Sequence, residues 1–191
     1  MAGRKKEFEE GEAVHQALNL FWSKGYEATS TEELLEVMQL GKSSFYHSFG
    51  SKKELFVRVL DHLYDSYVRA LQRATEQRTD PMEPIRESLR LVAKSPDDPK
   101  WGCFFGNTLA EMANVDPELQ DRAARYLRGL EEVYYRAISQ AQAQGRMHNR
   151  ADARLLAQYL TNLWNGLNIS QRLYAKPDLE RIVEVALQIV D

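Results

Sequence analysis

The chain has one cysteine, Cys103, in 191 residues. That excludes an internal disulfide and fits a reducing compartment, so a cytoplasmic protein is expected. No eighteen consecutive apolar residues occur, and no apolar segment follows the basic cluster Arg4-Lys5-Lys6. Neither a membrane helix nor a secretory leader is therefore expected. Ten glycines and six prolines leave long windows uninterrupted. No run of alternating β-branched residues bounded by turn signals is present, and the expected class is all-α.

Catalytic and metal signatures are also missing. There is no G-x-S-x-G, Walker A or G-x-G-x-x-G pattern. Glu12-Ala-Val-His15 is the one E-x-x-H pattern, whereas a di-iron site in a helical bundle needs two and further carboxylates. His62 and His148 stand alone, without metal-ligand spacing. No enzyme, metal or cofactor is expected, and an all-α enzyme is the weakest reading. An excess of positive charge is missing too. The whole chain carries −3, and residues 1–56 carry seven Lys/Arg against nine Asp/Glu, or −2. Contact with a polyanion would have to rest on local cations: Lys42, Lys52, Lys53 and the basic arm.

What is present concentrates between Gly25 and Phe56. Ser30 and Glu33 have capping-box spacing, so a helix is expected from about Thr31, with Leu34, Leu35, Val37 and Met38 as its apolar side. Gly41 is expected to take the positive φ of a sharp turn into a second short helix over Lys42–Phe49. Phe45 and Phe49, four apart, share the buried face of that helix; Ser43 and His47 lie opposite, flanked by Ser44 and Tyr46. Ser51 with Glu54 starts a third helix at once, placing Lys52 and Lys53 in its first turn. Cations there oppose the helix dipole, and a phosphate meeting the lysines and the free N–H groups would account for them.

These residues resemble the DNA-binding domain of TetR-family transcriptional regulators, through Gly25-Tyr26, Thr29, Phe45-Tyr46-His47-x-Phe49 and Ser51-Lys52-Lys53-Glu54-Leu55. The match spans roughly residues 8–56. The chain departs from the family pattern at Leu35 and Gln39, where a small residue and a glycine are usual, and at Ser48. The resemblance implies a three-helix DNA-binding domain with a helix-turn-helix over residues 1–56, and a helical effector-binding and dimerisation domain over 57–191. It further implies a homodimeric repressor that binds a near-palindromic double-stranded operator and is released by an unidentified small molecule. The candidate DNA-contacting set is Thr31, Lys42, Ser43, Ser44, Tyr46, His47 and Lys52.

Along the chain, a first helix is expected from about Phe8 to Lys24, ended by Gly25. A long helix follows from Ser51 past Leu71. A shorter one around Ile85 and Leu89 precedes a loop at Ser95–Lys100, and an apolar helix runs from Trp101 to Ala113. Asp116-Pro117 opens a long helix that ends at Gly145. Two last helices, Asp152–Tyr174 and Asp178–Val190, are separated by Pro177. Their apolar stripes are broader than one face of a small bundle needs, as an intersubunit four-helix bundle would require.

Aromatic and amide residues of the second domain suggest an effector pocket of Tyr67, Cys103, Phe104, Asn107, Tyr126 and Trp164. Cys103, at an expected helix start, would have its thiol pKa lowered by unpaired N–H groups and so could sense electrophiles. A buried inert cysteine is the competing reading, favoured because no second cysteine exists to resolve a sulfenic acid. A helical ligand-binding or interaction protein without operator binding is the alternative from another class.

Overall fold

The computed structural model describes residues 10–94 and 102–191, and among these every regular element is helical. Phe8, the basic arm, the Ser95–Lys100 loop and Trp101 lie outside the described residues. Two compact units divide between Leu63 and Tyr64.

The first unit holds α1 (Glu10–Lys24), α2 (Thr31–Val37), α3 (Lys42–Phe49) and α4 (Lys52–Leu63). Helix α1 buries Ala13, Val14, Ala17, Leu18 and Phe21 against α4, which buries Leu55, Phe56, Val59 and Leu60. The Phe21 and Phe56 rings meet edge to face at 4.8 Å, a favoured aromatic geometry. Burial of α4 continues past Phe56 to Leu60, which is why the first unit extends beyond the residues of the helix-turn-helix itself.

Helix α2 begins as its sequence demands. Ser30 is the N-cap: its Oγ accepts from Glu33 N at 3.2 Å, while Glu33 Oε2 accepts from Ser30 N at 3.0 Å. Its end differs from expectation. Gly41 sits at φ −73° as the N-cap of α3, and the left-handed residue is Gln39, at φ 53°. The reason lies in how α2 closes. Leu40 N donates to Leu35 O at 3.0 Å and Gln39 N to Glu36 O at 3.1 Å, the paired hydrogen bonds of a Schellman cap. That motif requires positive φ two residues before Gly41, so the strained position falls on a residue with a Cβ.

The second unit opens with a π-helical turn, Tyr64–Val68, followed by α5 (Arg69–Gln77), α6 (Glu83–Lys94), α7 (Phe104–Glu111), a 3-10 turn Met112–Asn114, α8 (Pro117–Ala143), α9 (Ala153–Ser170) and α10 (Lys176–Val190). The π turn interrupts what periodicity presented as one helix. Asp116 caps α8, its Oδ1 accepting from Glu118 N at 3.0 Å and Leu119 N at 3.1 Å. Helix α9 stops at Ser170, short of Tyr174, and α10 starts at Lys176 with Pro177 inside its first turn. Pro177 is tolerated there because the first-turn N–H groups have no intrahelical partner to lose. Helix α8 packs against both α7 and α9, and α10 against α6. No helix among the described residues is long and apolar enough to cross a membrane.

Candidate nucleic-acid interface

Helix α3 has two faces of opposite character. Phe45 and Phe49 are 0% and 1% exposed, whereas Lys42, Ser43, Ser44, Tyr46 and His47 are all solvent-exposed. Burying each phenylalanine contributes about 1.5–3 kcal/mol relative to leaving it in water, so the orientation of the outer face is firmly set. Tyr46 stands edge-on to Phe45 at 5.3 Å and is 45% exposed. The resulting surface is short, polar and carries a cation at its N-terminal end. Such a face suits groups that donate to and accept from base edges and phosphates.

Thr31, half-buried, is the first residue of α2 and lies directly after the Ser30 cap. The cap also deals with one of the acids. Lys24 Nζ bonds the Glu33 carboxylate. Together with the two hydrogen bonds from Ser30, this lowers its pKa from 4.5 to about 2, with Lys24 the largest cause. Glu33 is thus a structural anion whose charge is matched locally.

Lys52 has partners within the protein that its position in the sequence does not suggest. Its ammonium donates to Tyr26 O at 2.9 Å and Thr29 O at 3.0 Å, and lies 4.3 Å from the centroid of the Tyr26 ring. Two of its three donors therefore serve the loop between α1 and α2. Charge-assisted hydrogen bonds of this kind contribute about 1.5–3 kcal/mol each. The sequence offered no sign of this, because the partners are main-chain carbonyls more than twenty residues away.

The candidate effector residues of the second unit are partly assembled. The Tyr67 and Trp164 rings stand 5.3 Å apart, and the Trp164 side chain is near enough to the Cys103 sulfur to affect its thiol. Tyr126 meets Phe105 at 5.3 Å and Tyr64 at 4.9 Å. Phe104 is buried; Asn107 is exposed on α7. Cys103 requires a correction. It is the N-cap of α7, with Sγ accepting from Gly106 N at 3.4 Å. Its pKa is nonetheless raised, because desolvation outweighs the hydrogen bonds that favour a thiolate. Burial likewise pushes the Tyr67 phenol up.

Tyr134 and Asn165 belong to the aromatic and amide residues of the second domain but not to the six candidate effector residues. Tyr134 is fully buried, and neither its hydroxyl nor Asn165 Oδ1 has a partner of hydrogen-bonding geometry. Ser88 is near enough to both Tyr67 and Tyr134 to affect their phenols, but its own hydroxyl donates to Ile85 O at 2.8 Å. Among the described residues no cluster of His, Cys, Asp and Glu could hold a metal ion.

Comparison with known proteins agrees with this geometry. Residues 13–59 match the model for bacterial regulatory proteins of the tetR family, and residues 84–187 match that for the tetracyclin repressor-like C-terminal domain. The HTH-type transcriptional regulator YezE of Bacillus subtilis is 28% identical over 99% of this chain and 100% of its own length. The HTH-type transcriptional repressor ComR of Escherichia coli is 29% identical over 96% of this chain and 88% of its own. Among solved structures, the TetR-family regulator CifR in complex with a 26-base-pair double-strand operator is 26% identical. It superimposes with a TM-score of 0.77, covering 99% of this chain and 100% of that one. Reduced E. coli NemR shares the fold, with a TM-score of 0.83 at 20% identity over 95% of this chain and 96% of that one. An exposed polar face on a phenylalanine-anchored helix and two family matches that together span most of the chain lead to one assignment: the protein is a member of the TetR family, an all-helical, non-enzymatic, DNA-binding transcriptional regulator.

Proposed function

We propose that the chain is a homodimeric repressor that reads a near-palindromic operator with two copies of α3 and leaves it when a small molecule binds the C-terminal unit. The observation that carries the reading is the division of α3 into buried Phe45 and Phe49 and exposed Lys42, Ser43, Ser44, Tyr46 and His47. Relatives named as repressors, ComR and BdcR of E. coli, support the sign of regulation. A second copy is supported by Leu155 and Ile169 on α9, and Ile182, Val185 and Ile189 on α10. All are exposed, with Val185 at 58% and Leu155 and Ile169 at 61%. Apolar side chains of that size, repeated along two helices, gain most by covering each other across a two-fold axis.

The reading places two copies of α3 in major grooves about 34–36 Å apart, or a multiple of a helical turn. Footprinting on the DNA upstream of the coding sequence tests it: protection of two inverted half-sites with that spacing is expected, and a single short asymmetric footprint would refute the dimeric reader. For the effector, Tyr67, Cys103, Phe104, Asn107, Tyr126 and Trp164 remain the proposed surroundings. The raised Cys103 pKa favours reversible ligand binding over thiolate attack on an electrophile. Cys103→Ser should then leave a reversible ligand's effect on operator binding largely intact.

A further inference from the structure

Lys52 occupies a place that is electrostatically unfavourable on its own terms. It is the first residue of α4, where N–H groups converge and a cation is disfavoured. Its contacts supply the compensation: two carbonyl oxygens, of Tyr26 and Thr29, and the face of the Tyr26 ring. Those acceptors are held firmly. The Tyr26 ring lies 4.8 Å from Phe56 and 6.1 Å from Phe21, Thr29 is 1% exposed, and Thr29 Oγ1 donates to Gly25 O at 2.6 Å.

Chain order gives these contacts their meaning. Tyr26 to Thr29 lead directly into the Ser30 cap of α2, and Lys52 follows directly on Phe49, Gly50 and Ser51 at the end of α3. One ammonium thus joins the segment that enters the helix-turn-helix to the segment that leaves it. We propose that Lys52 is the clasp of the helix-turn-helix, a positioning residue that fixes the attitude of α3 on DNA through Tyr26 and Thr29 rather than through a phosphate. This rests on the reading of α3 as the DNA-contacting helix.

The test uses the full chain with its footprinted upstream duplex and a random duplex of equal length, titrated across a salt series. Lys52→Met keeps the stem and removes the ammonium; Lys52→Arg keeps a cation that reaches two carbonyls. A clasp predicts that Lys52→Met loses operator affinity by at least about tenfold, the lower end for one of the two charge-assisted bonds removed. Random-duplex affinity and the slope of log K against log salt should stay close to wild type, and Lys52→Arg should restore discrimination. A phosphate ligand predicts equal losses on both duplexes and a slope shallower by about one unit, which would overturn the proposal. So would unchanged discrimination in Lys52→Met. Should Lys52→Met fail to fold, the wild-type protein provides the readout through the Lys52 ammonium signal in a proton–nitrogen spectrum. The clasp requires that signal to be unmoved by operator; a shift with coupling to phosphorus would overturn it. Failure of α3 as the reading helix is distinguishable, because Tyr46→Ala and His47→Ala would then also leave discrimination unchanged.

Discussion

The two units differ in what they leave unsatisfied. In the first, the polar groups that shape the helix-turn-helix are matched nearby: Ser30 with Glu33, Glu33 with Lys24, Thr29 with Gly25, Lys52 with Tyr26 and Thr29. In the second, Tyr134 Oη and Asn165 Oδ1 are buried without hydrogen-bond partners, and α9 and α10 leave large apolar side chains in solvent. A reading surface gains from a single fixed geometry, since base contacts tolerate little displacement. In the proposed function the second unit receives an effector and a second copy, and such a unit has polar and apolar valences left to satisfy. The comparison therefore predicts that substitutions at matched groups of the first unit destabilise, while some at unmatched groups of the second do not.

The largest effect is expected at the anchor of α3. Phe49→Ala should destabilise the first unit by about 3–5 kcal/mol, read by urea denaturation, with Trp22 fluorescence reporting this unit and Trp164 the other. Loss of both signals together would show that the two units do not melt separately. Next, Val185→Glu on α10 should weaken self-association by about 2–4 kcal/mol in sedimentation equilibrium, leaving the helical circular dichroism of the protomer unchanged. A variant that sediments as wild type would remove this helix from the interface.

Two smaller changes set the units against each other directly. Ser30→Ala removes a matched cap and should cost about 1 kcal/mol. Tyr134→Phe removes an unmatched hydroxyl and should raise stability by about 1 kcal/mol, because no hydrogen bond is lost and a buried polar group is. A loss on Tyr134→Phe would show that the hydroxyl is satisfied in solution. Gln39→Gly should also stabilise, by about 1 kcal/mol, by relieving a left-handed Cβ.

The smallest expected effect is on acid stability. The folded-state pKa of Glu33 lies below its usual 4.5, at about 2. Its contribution is therefore present above pH 4.5 and lost as pH falls towards 2. Denaturation midpoints measured across that window should fall less steeply for Glu33→Gln than for wild type. Parallel curves would mean that the Lys24 and Ser30 contacts do not persist in solution.

Features governed by neighbours three or four residues apart were legible in the sequence: the Ser30 capping box, the Asp116-Pro117 helix start, the inward pair Phe45 and Phe49, and the bounds of α3. They follow from the periodicity and end chemistry of a helix, which the local chain determines. What the folded structure decided is where long side chains go, how burial shifts a thiol, and which residue of a turn takes the strained backbone. Lys52 found carbonyls more than twenty residues away rather than a position set by its own helix. The closing bonds of α2 moved positive φ from Gly41 to Gln39. Cys103 occupies a helix start, which alone would favour a thiolate, yet the packing around α7 raises its pKa, because the loss of water outweighs the local N–H groups. For Lys52 and Cys103 the deciding energy came from groups brought together by folding, which sequence spacing does not encode; for Gln39 it came from the bonds that close α2, three to five residues apart.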